Sequence, residues 1–178
     1  MLNTKLKVRK LLKNEHLKVI DYFYQNTDND LIRMGVEKEK LLAKDIWTKL
    51  LLEEFEKNIE DKKLYYLGWL YENKLVGHSN INNIQFKHQA TVHMHIWENK
   101  LRGKNLGQLF FKQSLQHYFT SFYLDIIVCE PNAQNSGPNK ILQNLGLHPV
   151  KTYETIPGSI NFLQKVNRYE IKKSDLEL

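Results

Sequence analysis

Two histidines separated by one residue, His93 and His95, are the side chains of this sequence best suited to moving a proton near neutral pH. They stand in the alternating run Thr91-Val92-His93-Met94-His95-Ile96-Trp97. In a strand, Thr91, His93, His95 and Trp97 share one face, with Val92, Met94 and Ile96 on the other. That arrangement suits general-base work, directly or through a water, and hydrogen-bonded structural histidines are the plainer alternative. A His-x-His pair also suits a metal ion, but no third ligand lies nearby and Cys129 falls in another segment, so no metal is expected. Cys129 itself ends an apolar run and reads as core rather than as a nucleophile.

A basic turn of small residues follows, Leu101-Arg102-Gly103-Lys104-Asn105-Leu106-Gly107-Gln108. It opens a segment in which Leu106, Phe110, Phe111, Leu115, Tyr118 and Phe119 recur at helical spacing. Such a turn leaves unpaired backbone N–H groups at the positive end of a helix dipole, a ready site for phosphate. Arg102 and Lys104 add full charge beside it, and an ordinary strand–helix connection with solvated cations is the alternative. The turn is neither a Walker A loop nor a dinucleotide GxGxxG, because only Gly103 and Gly107 are present.

The elements that must position these groups are legible from periodicity. Residues 5–11 read as a strand and 14–26 as a helix, broken by Asn26-Thr27-Asp28-Asn29-Asp30. From 36 to 59, Leu42, Ile46, Trp47, Leu50, Leu51, Phe55 and Ile59 predict one long amphipathic helix. Leu64–Tyr71 and Leu75–Ile84 read as a hairpin, Thr91–Trp97 as a third strand, and Tyr123–Cys129 as a strand buried on both faces. Ser136-Gly137-Pro138 supplies a Ser cap and a first-turn Pro for a helix that stops at Gly146. Strands at about 147–154 and 162–172 complete the order β-α-α-β-β-β-α-β-α-β-β, a mixed α/β domain.

Composition narrows the function classes. At 178 residues, with no repeat or linker in view, one domain with its own core is expected. A single cysteine excludes an internal disulfide and multi-thiolate metal sites, and fits a reduced, cytoplasmic protein. No apolar run is long enough to cross a bilayer, so no membrane partner is expected. The net charge of +6 invites a nucleic-acid reading, yet only Arg9, Arg33, Arg102 and Arg168 of the 26 cations are arginines. The lysines are scattered among acids, as in Glu37-Lys38-Glu39-Lys40, which argues against nucleic acid as a partner.

The turn resembles the acyl-CoA loop of the GNAT superfamily of N-acetyltransferases, Arg/Gln-x-x-Gly-x-Gly/Ala, with Arg102 at the first position and Gly107 at the last. Asn105 replaces the middle glycine; asparagine tolerates left-handed backbone and keeps its N–H. Leu75-Val76-Gly77-His78 resembles the family's hairpin strand. The stretch from Glu130-Pro131-Asn132 to Leu145-Gly146-Leu147 resembles its later signature, with Asn135 at the family's Asn and Leu147 in place of Phe. The likeness covers about residues 64–154 and the element order of the chain.

The resemblance implies a single GNAT-like domain over residues 1–178, a mixed, mostly antiparallel twisted sheet of about seven strands flanked by helices. It implies acetyl-CoA as cosubstrate and an amine acceptor, attacking the thioester directly. The pyrophosphate would lie on Arg102, Gly103, Lys104, Asn105, Leu106, Gly107 and Gln108, with Asn135 nearby and the backbone of Ile96 and Trp97 pairing with pantetheine. Other members carry a base on the strand of His93 and His95, which makes both candidate catalytic residues. Arg33, with Asp30 and Met34 between the first helices, falls on the family's acceptor wall and is a candidate substrate contact. Leu142 stands where many members have a Tyr that protonates the leaving thiolate. Asn105 and Leu142 keep open an alternative, a GNAT-fold CoA-binding or sensor protein without turnover; a basic nucleic-acid module is a third. Acceptor identity and oligomeric state are not legible, a homodimer being one option.

Overall fold

A computed structural model describes residues 5–176. Its sheet has seven strands: β1 Leu6–Lys10, β2 Leu64–Tyr71, β3 Lys74–Gln85, β4 Gln89–Ile96, β5 Ile126–Cys129, β6 Lys151–Thr155 and β7 Gln164–Lys172. They are ordered β1-β2-β3-β4-β5-β7-β6. Every neighbouring pair is antiparallel except β4 with β5, which run parallel. That parallel pairing extends only from Gln89↔Ile126 to Thr91↔Val128. Strand β4 then continues to Ile96 while β5 ends at Cys129, so the sheet splits between its two middle strands.

Both faces of the sheet are covered. Helix α4, Leu106–Phe122, lies on one, where Trp69 stacks on Phe110 with ring centroids 5.1 Å apart and donates its indole N–H to Ser114 at 2.8 Å. Phe111, Leu115 and Phe122 join Leu67, Ile81, Val92 and Ile127 in that core. Helices α1, His16–Gln25, and α3, Lys44–Glu56, cover the other face, where Val19, Phe23, Trp47 and Leu51 meet Leu11 and Tyr66. Full burial of such side chains contributes about 1.5–3 kcal/mol each. Among the described residues no helix is long and apolar enough to cross a membrane.

Two expectations are corrected. The run Asn26–Asp30 does end the first helix, at Gln25, but it also starts a helix that was not expected, α2, Asp28–Met34. The Thr27 hydroxyl accepts the Asp30 N–H at 3.2 Å, a side-chain cap, and Asp28 and Asp30 sit favourably in the positive first turn. Gly35, in the left-handed region at φ 76°, ends the helix. The helix expected over 36–59 therefore begins only at Lys44, after a single 3₁₀ turn at Lys38–Lys40. Of its predicted stripe, Trp47 and Leu51 are buried, whereas Leu42, Ile46 and Leu50 form an exposed ridge. The observed order is thus β-α-α-α-β-β-β-α-β-α-β-β.

Candidate active site

The split between β4 and β5 opens a cavity of ≈ 430 Å³, floored by β4 residues Val92–Ile96 and by Cys129 and Glu130, and walled by the starts of α4 and α5, Ser136–Asn144. The Trp97 N–H donates to the Val76 carbonyl of β3 at 2.9 Å. By alternation, the backbone groups of Ile96 and Met94 point the other way, into the split. An extended ligand could add there as a strand.

One end of the cavity is built of backbone. Asn105 precedes α4 with φ 59° and ψ 3°, the left-handed conformation expected of an asparagine in a glycine's place. Its side chain makes no cap bond, so the first N–H groups of α4 stay available to a ligand. Gly107 is required by packing: an added Cβ would lie 2.9 Å from Ile141 Cδ1 and 3.1 Å from Ile96 Cδ1. Helix α4 therefore starts pressed against both α5 and β4.

The other end is built of side chains. Glu130 Oε1 accepts from Tyr153 Oη at 2.5 Å and from Arg168 Nη1 at 2.9 Å. Asn139 fixes the turn into α5: its Nδ2 donates to the carbonyls of Asn132 and Asn135, and its Oδ1 accepts from Asn167 and Tyr169. Arg33 Nη1 donates to Asn135 Oδ1 at 3.2 Å and Nη2 to Asp30 Oδ1 at 3.1 Å. The bond from Arg33, and one from the Thr27 hydroxyl to Asp30 Oδ2 at 2.9 Å, hold the Asp30 carboxyl below its ordinary range.

The histidines differ in kind. His93 Nε2 is buried without a partner and the residue lines the cavity. Burial pushes His93 down to about 4, with Glu130 opposing, so it is neutral at pH 7. His95 also lines the cavity but is packed among rings, 4.7 Å from His78 and 5.3 Å from Phe23 by centroid. Burial, then His93, Arg102 and Arg33, push it down to about 3. His78, fully buried, accepts the Trp97 indole N–H on Nδ1 at 2.8 Å, so its neutral ring carries the proton on Nε2. Burial raises the Cys129 thiol to about 12, which leaves it protonated.

Of the residues singled out from sequence, His93, His95, Ile96, Arg102, Gly103, Asn105, Gly107, Gln108, Asn135 and Arg33 converge on this cavity. Trp97, Lys104 and Leu106 do not line it. The Trp97 N–H is spent on β3 and its indole on His78, Lys104 is exposed, and Leu106 is buried in the core. Arg102 turns away from the helix start: Nε and Nη2 donate to the Ile96 carbonyl at 3.2 and 2.9 Å. Ser136 is the first helical residue of α5, not its cap, which falls on Asn135. Sequence reasoning missed Tyr22 and Glu130, both of which line the cavity. A charge directly ending an apolar strand, Cys129-Glu130, was the available signal for the second. Leu142 is wholly buried and offers no proton. Among the described residues no three His, Cys, Asp or Glu side chains are grouped to hold a metal ion.

No protein-family model and no curated protein matches the sequence. Solved structures do match its shape. A ribosomal-protein-S5-alanine acetyltransferase from Vibrio fischeri superposes with TM-score 0.73 at 17% identity, covering 98% of this chain and 96% of that one. A spermidine N-acetyltransferase from Vibrio cholerae, in complex with CoA and spermine, gives 0.76 at 17% identity over 98% and 99%. A ribosomal L7/L12 alpha-N-protein acetyltransferase in complex with coenzyme A gives 0.71 at 12% identity over 97% and 96%. The fold is that of the GNAT superfamily.

Proposed function

We propose that this chain is a single-domain N-acetyltransferase that moves the acetyl group of acetyl-CoA to an amine by direct attack. The observation that carries the reading is the split between β4 and β5: it leaves a strand edge open and leads at one end to the free N–H groups of α4. A long donor with an amide-bearing arm and a pyrophosphate fits such a slot, the arm as an added strand and the phosphates on the helix start. That three superposed proteins are acetyltransferases, two of them in complex with CoA, supports it.

The chemistry asks little of the protein beyond placement. The amine nitrogen bonds to the thioester carbon, the C–S bond breaks, the nitrogen loses a proton and the thiolate gains one. His93 is the residue we assign to the first proton, because it lines the cavity and its buried Nε2 has no hydrogen-bond partner. With a value near 4 it is a weak base that is never blocked by protonation at neutral pH. It therefore suits removal of the acidic proton of the adduct rather than of a free ammonium. His95, caged by Phe23 and His78, shapes the wall beside it.

The direct test is release of free thiol from acetyl-CoA across a panel of amines. At least one amine must drive release, and His93→Gln must lower kcat by about 10²–10⁴-fold, the ordinary worth of a positioned base. A second reading, CoA binding without turnover, is favoured by one observation, the buried Leu142 where a proton donor would be useful. Tight CoA binding with no thiol release over the whole panel would select it.

A further inference from the structure

We propose that the acceptor is an amine that also bears a carboxylate, and that Arg33 and Arg102 receive the carboxylate. This rests on the acetyltransferase reading for where the acceptor lies.

Both guanidinium groups line the cavity, one from the last turn of α2 and one from the turn before α4, and both approach the same carboxylate. Asp30 Oδ1 lies 3.1 Å from Arg33 Nη2 and 4.0 Å from Arg102 Nη1. The spacing of the two arginines thus already accommodates a carboxylate oxygen between them. Asp30 does not line the cavity, so the cavity meets the cations rather than their internal partner.

The charge balance at this end is positive. Two guanidinium groups share one carboxylate, and the rings beside them, Tyr22 and His95, are held neutral by burial. Glu130, on the β5 side, is already matched by Arg168. A polycation entering the α2 side meets repulsion, whereas a carboxylate meets two guanidinium groups that share a single internal carboxylate. Arg102 currently spends Nε and Nη2 on the Ile96 carbonyl. A donor adding as a strand would take that carbonyl and free both. An acceptor with its acid on the arginines would direct its amine toward His93 and Glu130.

The test compares amines that differ only in the carboxylate. Thiol release from acetyl-CoA is measured with the standard amino acids, with phenylalanine, tyrosine and lysine matched against phenethylamine, tyramine and cadaverine, and with spermidine. In parallel, calorimetry measures binding of the corresponding N-acetyl products to the CoA complex. At least one acid should exceed its decarboxylated partner by about tenfold or more in kcat/KM, as expected for a charge-assisted bidentate contact. Arg33→Gln should bring that ratio to within about threefold, and Arg33→Lys should retain part of it. Equal or better turnover of the decarboxylated amines or of spermidine overturns this inference and leaves the transferase reading intact. Carboxylate-dependent binding without thiol release has the opposite effect. Absence of both turnover and binding for every acid, or a ratio that Arg33→Gln leaves unchanged, overturns the inference.

Discussion

The two ends of the cavity are made of different materials. The end proposed for the donor is backbone: a left-handed Asn105, a glycine at Gly107 and the first N–H groups of α4, all within a few consecutive residues. The end proposed for the acceptor is side chains brought together from distant parts of the chain, Arg33 with Asn135 and Arg168 with Glu130. A backbone site keeps its shape under most substitutions and fails when chain path or local charge changes. A site of paired side chains fails one residue at a time.

The variants that break or sharpen this contrast follow in order of expected effect. Asn105→Asp is expected to weaken acetyl-CoA affinity by about 100-fold or more, because it sets a carboxylate at the start of α4 against the donor's phosphates. Aspartate tolerates the left-handed backbone at this position and an acid at a helix start favours the helix, so the variant should remain folded by circular dichroism. A folded variant with unchanged affinity would show that the phosphates bind elsewhere.

At the other end, Arg168→Leu removes the counter-charge of the largely buried carboxylate of Glu130, whose side chain is 12% exposed, and leaves it the Tyr153 hydroxyl. The cost is about 1–3 kcal/mol, read as a fall in Tm of roughly 3–8 °C. A Tm within a degree of the parent would mean that the pair is a solvated surface contact.

The histidines give a pH signature. His93 and His95 titrate near 4 and 3 in the folded chain, below the ordinary 6.5 of an unfolded one. The unfolded state therefore binds more protons, and stability falls as pH drops below 6.5 toward 4, with no contribution above that window. Tm should decline over this range, and less steeply in a His93→Gln/His95→Gln chain. Parallel curves would place both rings in solvent. The smallest effect is at the donor end: Lys104→Ala, outside the cavity and exposed, should weaken acetyl-CoA binding by no more than about threefold, as for a single screened charge.

The same contrast explains what was readable. The turn from Arg102 to Gln108 was legible as a strand-to-helix connection because its parts are neighbours in sequence and Gly103 and Asn105 suit left-handed backbone; which of its side chains reach the cavity was not. The strands were legible from period-two alternation, and Leu64–Tyr71 matches its expected bounds. The acceptor end was not, because nothing in the sequence links Arg33 to Asn135 or Arg102 to the carbonyl of Ile96. Helix α2 escaped notice because Thr27-Asp28-Asn29-Asp30 serves equally as a loop and as a capped helix start. Ile46 and Leu50 show the limit of periodicity: it finds a helix but not which stripe the fold will bury.

The most direct test of the central claim is a calorimetric comparison of acetyl-CoA with S-acetylpantetheine, which carries the reactive arm without the pyrophosphate and nucleotide. A donor held through its phosphates on the start of α4 predicts saturable acetyl-CoA binding, one per chain, and S-acetylpantetheine weaker by about 100-fold or more. Equal affinities, or no acetyl-CoA binding at millimolar concentration by heat or thermal shift, would contradict it.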